Sequence, residues 1–306
     1  MKKFIIHIAL FSVLVLLSMF LILRKADGYT DPFYVRFTTP KQHSLILGSS
    51  KAAQGILPQI LNSALGRSDM FNYSFTIGTS PYGPTYLQSI KNKLDYSTKD
   101  AIFILAVDAW SISSDGKNPN DIAQFKEKDF LLGKTNEVNQ NPNISYLLNS
   151  FDNAYYEILL NKYTYNMRRS AFLHQDGWLE VSTLLYDSLA MKEKELERLH
   201  DYQKNYLPYY QFSQTRLAYL EESIDFLKEY GKVYLVRLPV SPLVMEVEDS
   251  VVPDLDKKME YLSVQKAVPY INLSIYNANF LYTDGIHLHK QSGAAVSRLI
   301  AEKIKE

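Results

Sequence analysis

Residues 4–23 read FIIHIALFSVLVLLSMFLIL, a run with no Asp, Glu, Lys or Arg and only His7 and two serines as polar interruptions. About 20 uncharged residues, wound as a helix, match the hydrocarbon thickness of a bilayer. The apolar region of a secretory signal peptide is shorter, roughly 7–15 residues, and is followed by a small-x-small cleavage site. Here the run ends in Arg24-Lys25-Ala26-Asp27, which offers no such site. An uncleaved signal anchor spanning 1–25 is therefore expected over a cleaved signal peptide. Lys2, Lys3 and the amino terminus face Arg24 and Lys25 across the run, and the count leans to a cytoplasmic N-terminus. That orientation puts the remaining chain outside the cytoplasmic membrane, in the periplasm or at the cell surface.

After the anchor, residues 26–40 (ADGYTDPFYVRFTTP) lack helical periodicity and read as a stalk, leaving 41–306 for one domain. The strongest strand signal is DAIFILAVDAW (100–110), a continuous apolar run suited to the centre of a parallel sheet. Shorter buried strands are expected at Leu45–Leu47, in MFNYSFTIG (70–78), in KVYLVRLPVSP (232–242) and in PYINLSIY (269–276). A helix is expected after the Gly-Ser-Ser turn at 48–50. Another is expected over 212–231, where Leu217, Leu220, Ile224 and Leu227 keep helical spacing and Gly231 ends it. QSGAAVSRLIAEKIKE closes the chain as a helix. Strands alternating with helices predict an α/β fold with a parallel sheet covered on both faces.

The exception is about 111–211, rich in Asn, Tyr, Lys and Glu. NISYLLNSFDNAYYEILLNKYTYNMRR and STLLYDSLAMKEKELERLHDYQKNY within it look helical, so a mostly helical insertion between two sheet strands is expected. The 23 tyrosines, concentrated mid-chain, suit a Tyr-rich helical layer better than a sugar-binding surface. Lys+Arg and Asp+Glu balance at 33 each, and no basic stripe or zinc-finger spacing points to nucleic acid. The chain has no cysteine, which excludes disulfides, thiol catalysis, Cys-based zinc sites and a lipoprotein anchor.

Active-site groups in open parallel sheets gather at the carboxyl ends of strands. Four polar stretches fall there: Gly48-Ser49-Ser50, the loop from Asn72 to Gly78, Asp108, and the segment holding Asp284 and His287. Ser50 ends a strand and opens a helix, where unpaired backbone N–H groups can stabilise an oxyanion. A helix N-cap is the plainer role for such a serine. Its hydroxyl would need a base, which His287 can supply, and Asp284 three residues earlier can hold the other ring nitrogen. Without Ser50, a helix-start histidine and an Asx turn would account for both. Asp284, His287 and His289, with His43, could also be read as a metal cluster, but no His-Glu-x-x-His or Cys ligand accompanies them. We therefore expect neither a metal nor an organic cofactor. No Gly-x-Gly-x-x-Gly or Walker-type loop is present.

LILGSSKAAQGI (45–56) and YTDGIHLHKQSG (282–293) resemble the first and last blocks of the SGNH/GDSL hydrolase superfamily. The closest likeness is to its membrane-anchored bacterial branch with Gly-Ser-Ser in place of Gly-Asp-Ser. The resemblance covers roughly 41–110 and 212–306, and RLPVSP at a strand end also fits it. It implies a three-layer α/β/α sandwich, SGNH/flavodoxin-like, with Ser50 as nucleophile and Asp284–His287 as the Asp-x-x-His pair. NYSFTIGTSPYG (72–83) resembles the second block, which makes Gly78 the candidate backbone oxyanion donor. The implied activity is a serine esterase or O-acyltransferase on O-acylated carbohydrate or cell-envelope polymer, with an integral-membrane acyltransferase as the implied partner.

One position departs from the pattern. The third block is Gly-x-Asn-Asp, whose Asn donates to the oxyanion; here Asp108 stands where that Asn would fall. A carboxylate cannot donate a hydrogen bond, and its charge opposes an oxyanion. Three readings are open: Asp108 positions a substrate hydroxyl or caps the next helix, Asn72 supplies the amide instead, or the site has lost hydrolytic power. The last would leave a non-catalytic glycan-binding or assembly subunit that keeps the fold.

Overall fold

The computed structural model describes residues 1–160, 171–181 and 187–306. The expected helical stretches at 143–169 and 182–206 therefore lie partly outside the described residues. Five strands form the central sheet: β1 (Ser44–Leu47), β2 (Met70–Asn72), β3 (Ala101–Ala106), β4 (Gly231–Arg237) and β5 (Tyr270–Asn272). They pair in the order β2-β1-β3-β4-β5, every pair parallel. The chain thus leaves β1 towards one edge and returns to build the other, and the loops after β1 and β3 diverge at the switch between them.

The strand alternation divides the core in two. Leu45, Leu47, Phe103, Leu105, Val233 and Leu235 face one layer, while Ile46, Ile104, Ala106, Tyr234 and Val236 face the other. Among the described residues the helices include α1 (Lys2–Leu23), α2 (Tyr34–Thr38), α3 (Ser50–Gly55), α4 (Pro58–Leu65) and α5 (Pro84–Lys93). They continue as α6 (Ser188–Asp201), α7 (Gln214–Lys228), α8 (Pro242–Val251), α9 (Leu255–Lys266) and α10 (Lys290–Lys305). Helices α3, α4 and α10 cover the second face through Ala52, Ile56, Leu61, Val296 and Ile300. Helices α5, α7 and α9 cover the first through Ile90, Leu220, Ile224, Leu227, Met259 and Leu262. The chain is an α/β protein with a five-stranded parallel sheet between helices.

Helix α1 is 22 residues long with mean hydropathy 2.8. At 1.5 Å per residue it spans about 33 Å, enough to cross a bilayer. Its last turn is not detached, because Leu23 is buried and Met19 and Ile22 pack against the first core layer.

One expectation needs correction. Residues 26–40 are not a stalk: Tyr34, Val35, Arg36 and Phe37 of α2 are all buried. The Arg36 guanidinium explains why, donating to the carbonyls of Asn72, Pro32 and Gly177 at 3.0, 2.8 and 2.6 Å. It thereby seals the exposed edge of β2 that an unpaired strand would leave open. The insertion also carries two short ladders beside its helices. Ser113–Ser114 pairs antiparallel with Gln211–Phe212, so the insertion leaves and re-enters through one short ladder. Ala171–Leu173 pairs with Leu179–Val181 in a second.

Candidate active site

The site starts from a backbone constraint. Gly48 has φ +147°, and a Cβ there would sit 2.8 Å from the Ala106 Cβ. Only glycine lets β1 turn this sharply beside β3. Ser49 then caps α3 with extended backbone, and Ser50 opens the helix. The next loop is clipped to the same point: Phe75 N and Ser80 Oγ both donate to the Gly48 carbonyl, at 3.1 and 2.7 Å.

The loop of residues 282–288 is shaped by Gly285 at φ +80° and by a bridge between Tyr282 and Leu288. Asp284 Oδ1 accepts from the His287 backbone N–H at 2.9 Å, which tucks the side chains together. His287 Nδ1 lies 2.9 Å from Asp284 Oδ2 and 3.0 Å from Oδ1. On the other side of the ring, Nε2 lies 2.8 Å from Ser50 Oγ. With the ring proton on the nitrogen facing the carboxylate, Nε2 is left to accept from the hydroxyl. Burial opposes ionisation of Asp284, but His287, through ring and backbone N–H, and Arg198 overcome it and hold the carboxyl well below the usual carboxylate range. Arg198 reaches Asp284 from α6 at 3.4 Å. The structure therefore joins Ser50, His287 and Asp284 in one hydrogen-bonded chain, an arrangement able to take a proton from a serine hydroxyl.

The other candidates fall elsewhere. Asn72 is fully buried and spends both amide protons on the Ala52 and Ile56 carbonyls, at 2.8 and 2.9 Å. It staples the end of α3 and has no N–H left for an oxyanion, which corrects the expectation for it. Gly78 sits at the half-exposed tip of the loop tied to Gly48 and lines a cavity shared with Ser114 and Asp115. His289 caps α10, its Nδ1 accepting from Gln291 N at 3.3 Å. His43 lies at the opposite end of β1, 3.9 Å from Asp95, so the four groups of the metal reading are not assembled.

Asp108 belongs to a buried charge cluster that sequence reasoning missed. Its Oδ1 accepts from Ser111 N at 2.7 Å, and its Oδ2 accepts from Ser49 Oγ at 3.0 Å and lies 3.3 Å from Lys51 Nζ. Lys51 also pairs with Glu248 of α8, whose Oε1 accepts from Trp110 Nε1 at 3.0 Å. Burial works against the Lys51 charge, and the two carboxylates overcome it, lifting its ammonium above the ordinary lysine value. Burial lifts the Glu248 carboxyl above the ordinary range of its kind. A signal was present: Glu248 follows Val244 and Val247 on the apolar face of α8, where an acid needs a partner.

No family model matches the chain, and the search of curated proteins found no match.

Proposed function

We propose that the chain is an SGNH-type serine esterase or O-acyltransferase of the cell envelope. The observation that carries this reading is His287 Nε2 at 2.8 Å from Ser50 Oγ with Nδ1 held by Asp284. Three residues, one of them far from the other two in sequence, meet in the order nucleophile, base, orienting acid. The resemblance of the Gly-Ser-Ser and Asp-x-x-His blocks supports the same assignment, and so does the sheet order 2-1-3-4-5, which SGNH/flavodoxin-like sandwiches use.

In this mechanism Ser50 Oγ attacks the acyl carbon while its proton passes to His287 Nε2. Backbone N–H groups at Ser50 and Gly78 hold the oxyanion. Collapse of the tetrahedral intermediate breaks the ester bond, and His287 returns the proton to the departing alkoxide. Water or a second hydroxyl then attacks the acyl-enzyme, with His287 again as base. Asp284 keeps the imidazole oriented and stabilises its charged form. The substrate class is O-acylated carbohydrate or cell-envelope polymer. Helix α1 anchors the enzyme with its domain outside the cytoplasmic membrane, where an integral-membrane acyltransferase can be its partner.

The test is covalent labelling of the full chain by a fluorophosphonate, with mass spectrometry of the modified peptide. Label on Ser50, absent from His287→Ala protein, is the expected result. An unlabelled Ser50, together with no turnover of p-nitrophenyl acetate, removes the esterase reading. That outcome favours a non-catalytic subunit, the reading for which Asp108 in place of an amide donor speaks.

A further inference from the structure

Helix α6 of the insertion packs on the loop that carries Asp284 and His287. Along it, and along the π-helical turn Tyr202–Tyr206 that continues it, Glu195, Arg198, Leu199, Tyr202 and Tyr206 recur at helical spacing and share a face. Tyr202 and Tyr206 stand against Trp110, with ring centroids 4.7 and 5.8 Å away. Leu199 packs on the same apolar cluster, which also buries Ile286 of the loop. Glu195 seats against the turn itself: a Cβ on Gly285 would meet Glu195 Cγ at 2.8 Å and Ser241 Oγ at 3.1 Å. Ser241 N donates to the Gly285 carbonyl at 2.7 Å, so the turn is held between α6 and the start of α8.

Arg198 is the member of that face that reaches the triad. Its Nη2 lies 3.4 Å from Asp284 Oδ2, the oxygen that also faces His287 Nδ1 at 2.9 Å. Asp284 Oδ1 is occupied by the backbone N–H groups of Ile286 and His287, at 3.2 and 2.9 Å. One oxygen is therefore shared between imidazole and guanidinium. The guanidinium fixes that oxygen for the ring, and its charge offsets part of the carboxylate field that favours an imidazolium. A ring not held too firmly as imidazolium stays available to take the Ser50 proton. Other charges stand near. Among the described residues, Lys194, Glu197 and Asp201 of α6 line the cleft shared by Arg198 and Asp284, and Asp201 lies 3.6 Å from Arg198 Nη1. From α3, Lys51 is paired with Asp108 and Glu248. Tyr282, at the base of the loop, donates to the Asn277 carbonyl at 2.7 Å.

We propose that Arg198 is a positioning residue of this site: through it the insertion clamps Asp284 and sets the lower end of the pH range in which His287 works as a base. Its consequence for turnover rests on the hydrolase reading; its effect on the His287 ring does not.

The experiment is an NMR pH titration of the full-length protein in detergent, with nitrogen-15 in its histidines and the His287 ring assigned from His287→Asn. Two neutral variants, Arg198→Met and Arg198→Gln, are compared with wild type, and thermal melts select those that fold. In either, the protonation midpoint of the His287 ring moves up by about 0.5–1 pH unit, the size expected of a nearby charge partly screened by water. Arg198→Lys, which keeps the charge, restores the wild-type midpoint. Lys204→Met, which removes an exposed cation further along the insertion, leaves it in place. The acid limb of kcat/KM for p-nitrophenyl acetate moves with the ring. A midpoint unmoved in the neutral variants, or moved as far by Arg198→Lys or Lys204→Met, overturns the proposal. Absence of turnover in wild type counts against the hydrolase reading alone, because the ring titration still decides the clamp.

Discussion

Lys51 Nζ lies 3.3 Å from the Asp108 carboxylate, one residue past Ser50 on the buried side of α3. Asp108 occupies the place where the resemblance puts a neutral oxyanion donor, and the ammonium beside it offsets the charge that would oppose an oxyanion. Ser49 and Ser111 bind the same carboxylate, so the group anchors the first turn of α3 under the candidate nucleophile.

Removing Lys51 leaves the buried Asp108 and Glu248 carboxylates without the ammonium that pairs with both. Lys51→Met is expected to cost about 3–5 kcal/mol, the usual penalty for breaking a buried pair from one side. Asp108→Asn keeps the Lys51–Glu248 pair and is expected to cost less. Urea unfolding followed by circular dichroism ranks the two.

Asp284→Asn leaves the shape of the loop but takes the negative charge from His287. If Ser50 is the nucleophile, turnover of p-nitrophenyl acetate falls by about 10⁴-fold, as when the orienting acid of a triad is lost. The substitution also alters acid stability. Because the folded carboxyl sits far below its unfolded value of about 3.9, it adds stability that is complete above that value and is lost as pH falls towards its folded value. Denaturant titrations between pH 6 and pH 2 are expected to show a shallower acid loss in Asp284→Asn than in wild type, a range chosen to bracket the ~3.9 reference.

Lys93 is fully buried, its Nζ donating to the Thr39 and Val138 carbonyls at 2.7 and 2.8 Å and to Thr39 Oγ1 at 2.9 Å. Burial pushes its ammonium down to about 7. The unfolded chain therefore holds more protons between pH 7 and its own value of about 10.4. Stability should rise with pH across that window by up to about 1.4 kcal/mol per unit. Lys93→Met should flatten this slope, measured as the urea midpoint against pH.

Gly48→Ala asks for φ +147° with a side chain and drives a Cβ to 2.8 Å from Ala106. The strain is expected to cost about 2 kcal/mol or more and to shift Ser50 away from His287. A lowered thermal midpoint together with slowed fluorophosphonate labelling is the expected signature.

Truncation separates the role of α1, the proposed anchor, from that of α2. Protein lacking residues 1–25 should leave the membrane fraction and remain folded, because only the last turn of α1 touches the core. Protein lacking residues 1–40 should not fold, because Arg36 and Phe37 are 0% exposed and the β2 edge loses its cover. Membrane fractionation and limited proteolysis of the two products test this.

Much of this architecture was legible in the chain itself. The apolar run of 100–110 pointed to a central strand, found at Ala101–Ala106, and the spacing of Leu217, Leu220, Ile224 and Leu227 to a helix with one buried face. Ser50 after a short strand and Asp284 three residues before His287 were visible as a pair of motifs, because each depends on local geometry. The stalk reading failed at α2 because Gly, Pro and Asp hide a five-residue helix whose burial depends on carbonyls of residues 72 and 177. The insertion's ladders escaped notice because strands of two and three residues carry no periodicity.

The residues alone determined which segments are apolar with period two or 3.6, and which polar groups stand at strand ends. The tertiary structure decided which of those groups meet. It brought His287 to Ser50, turned Asn72 away to the end of α3, and gathered Lys51, Asp108 and Glu248 from three separate elements. Periodicity is a property of neighbours along the chain, whereas the pairing of buried charges is settled only when distant segments exclude water around them together.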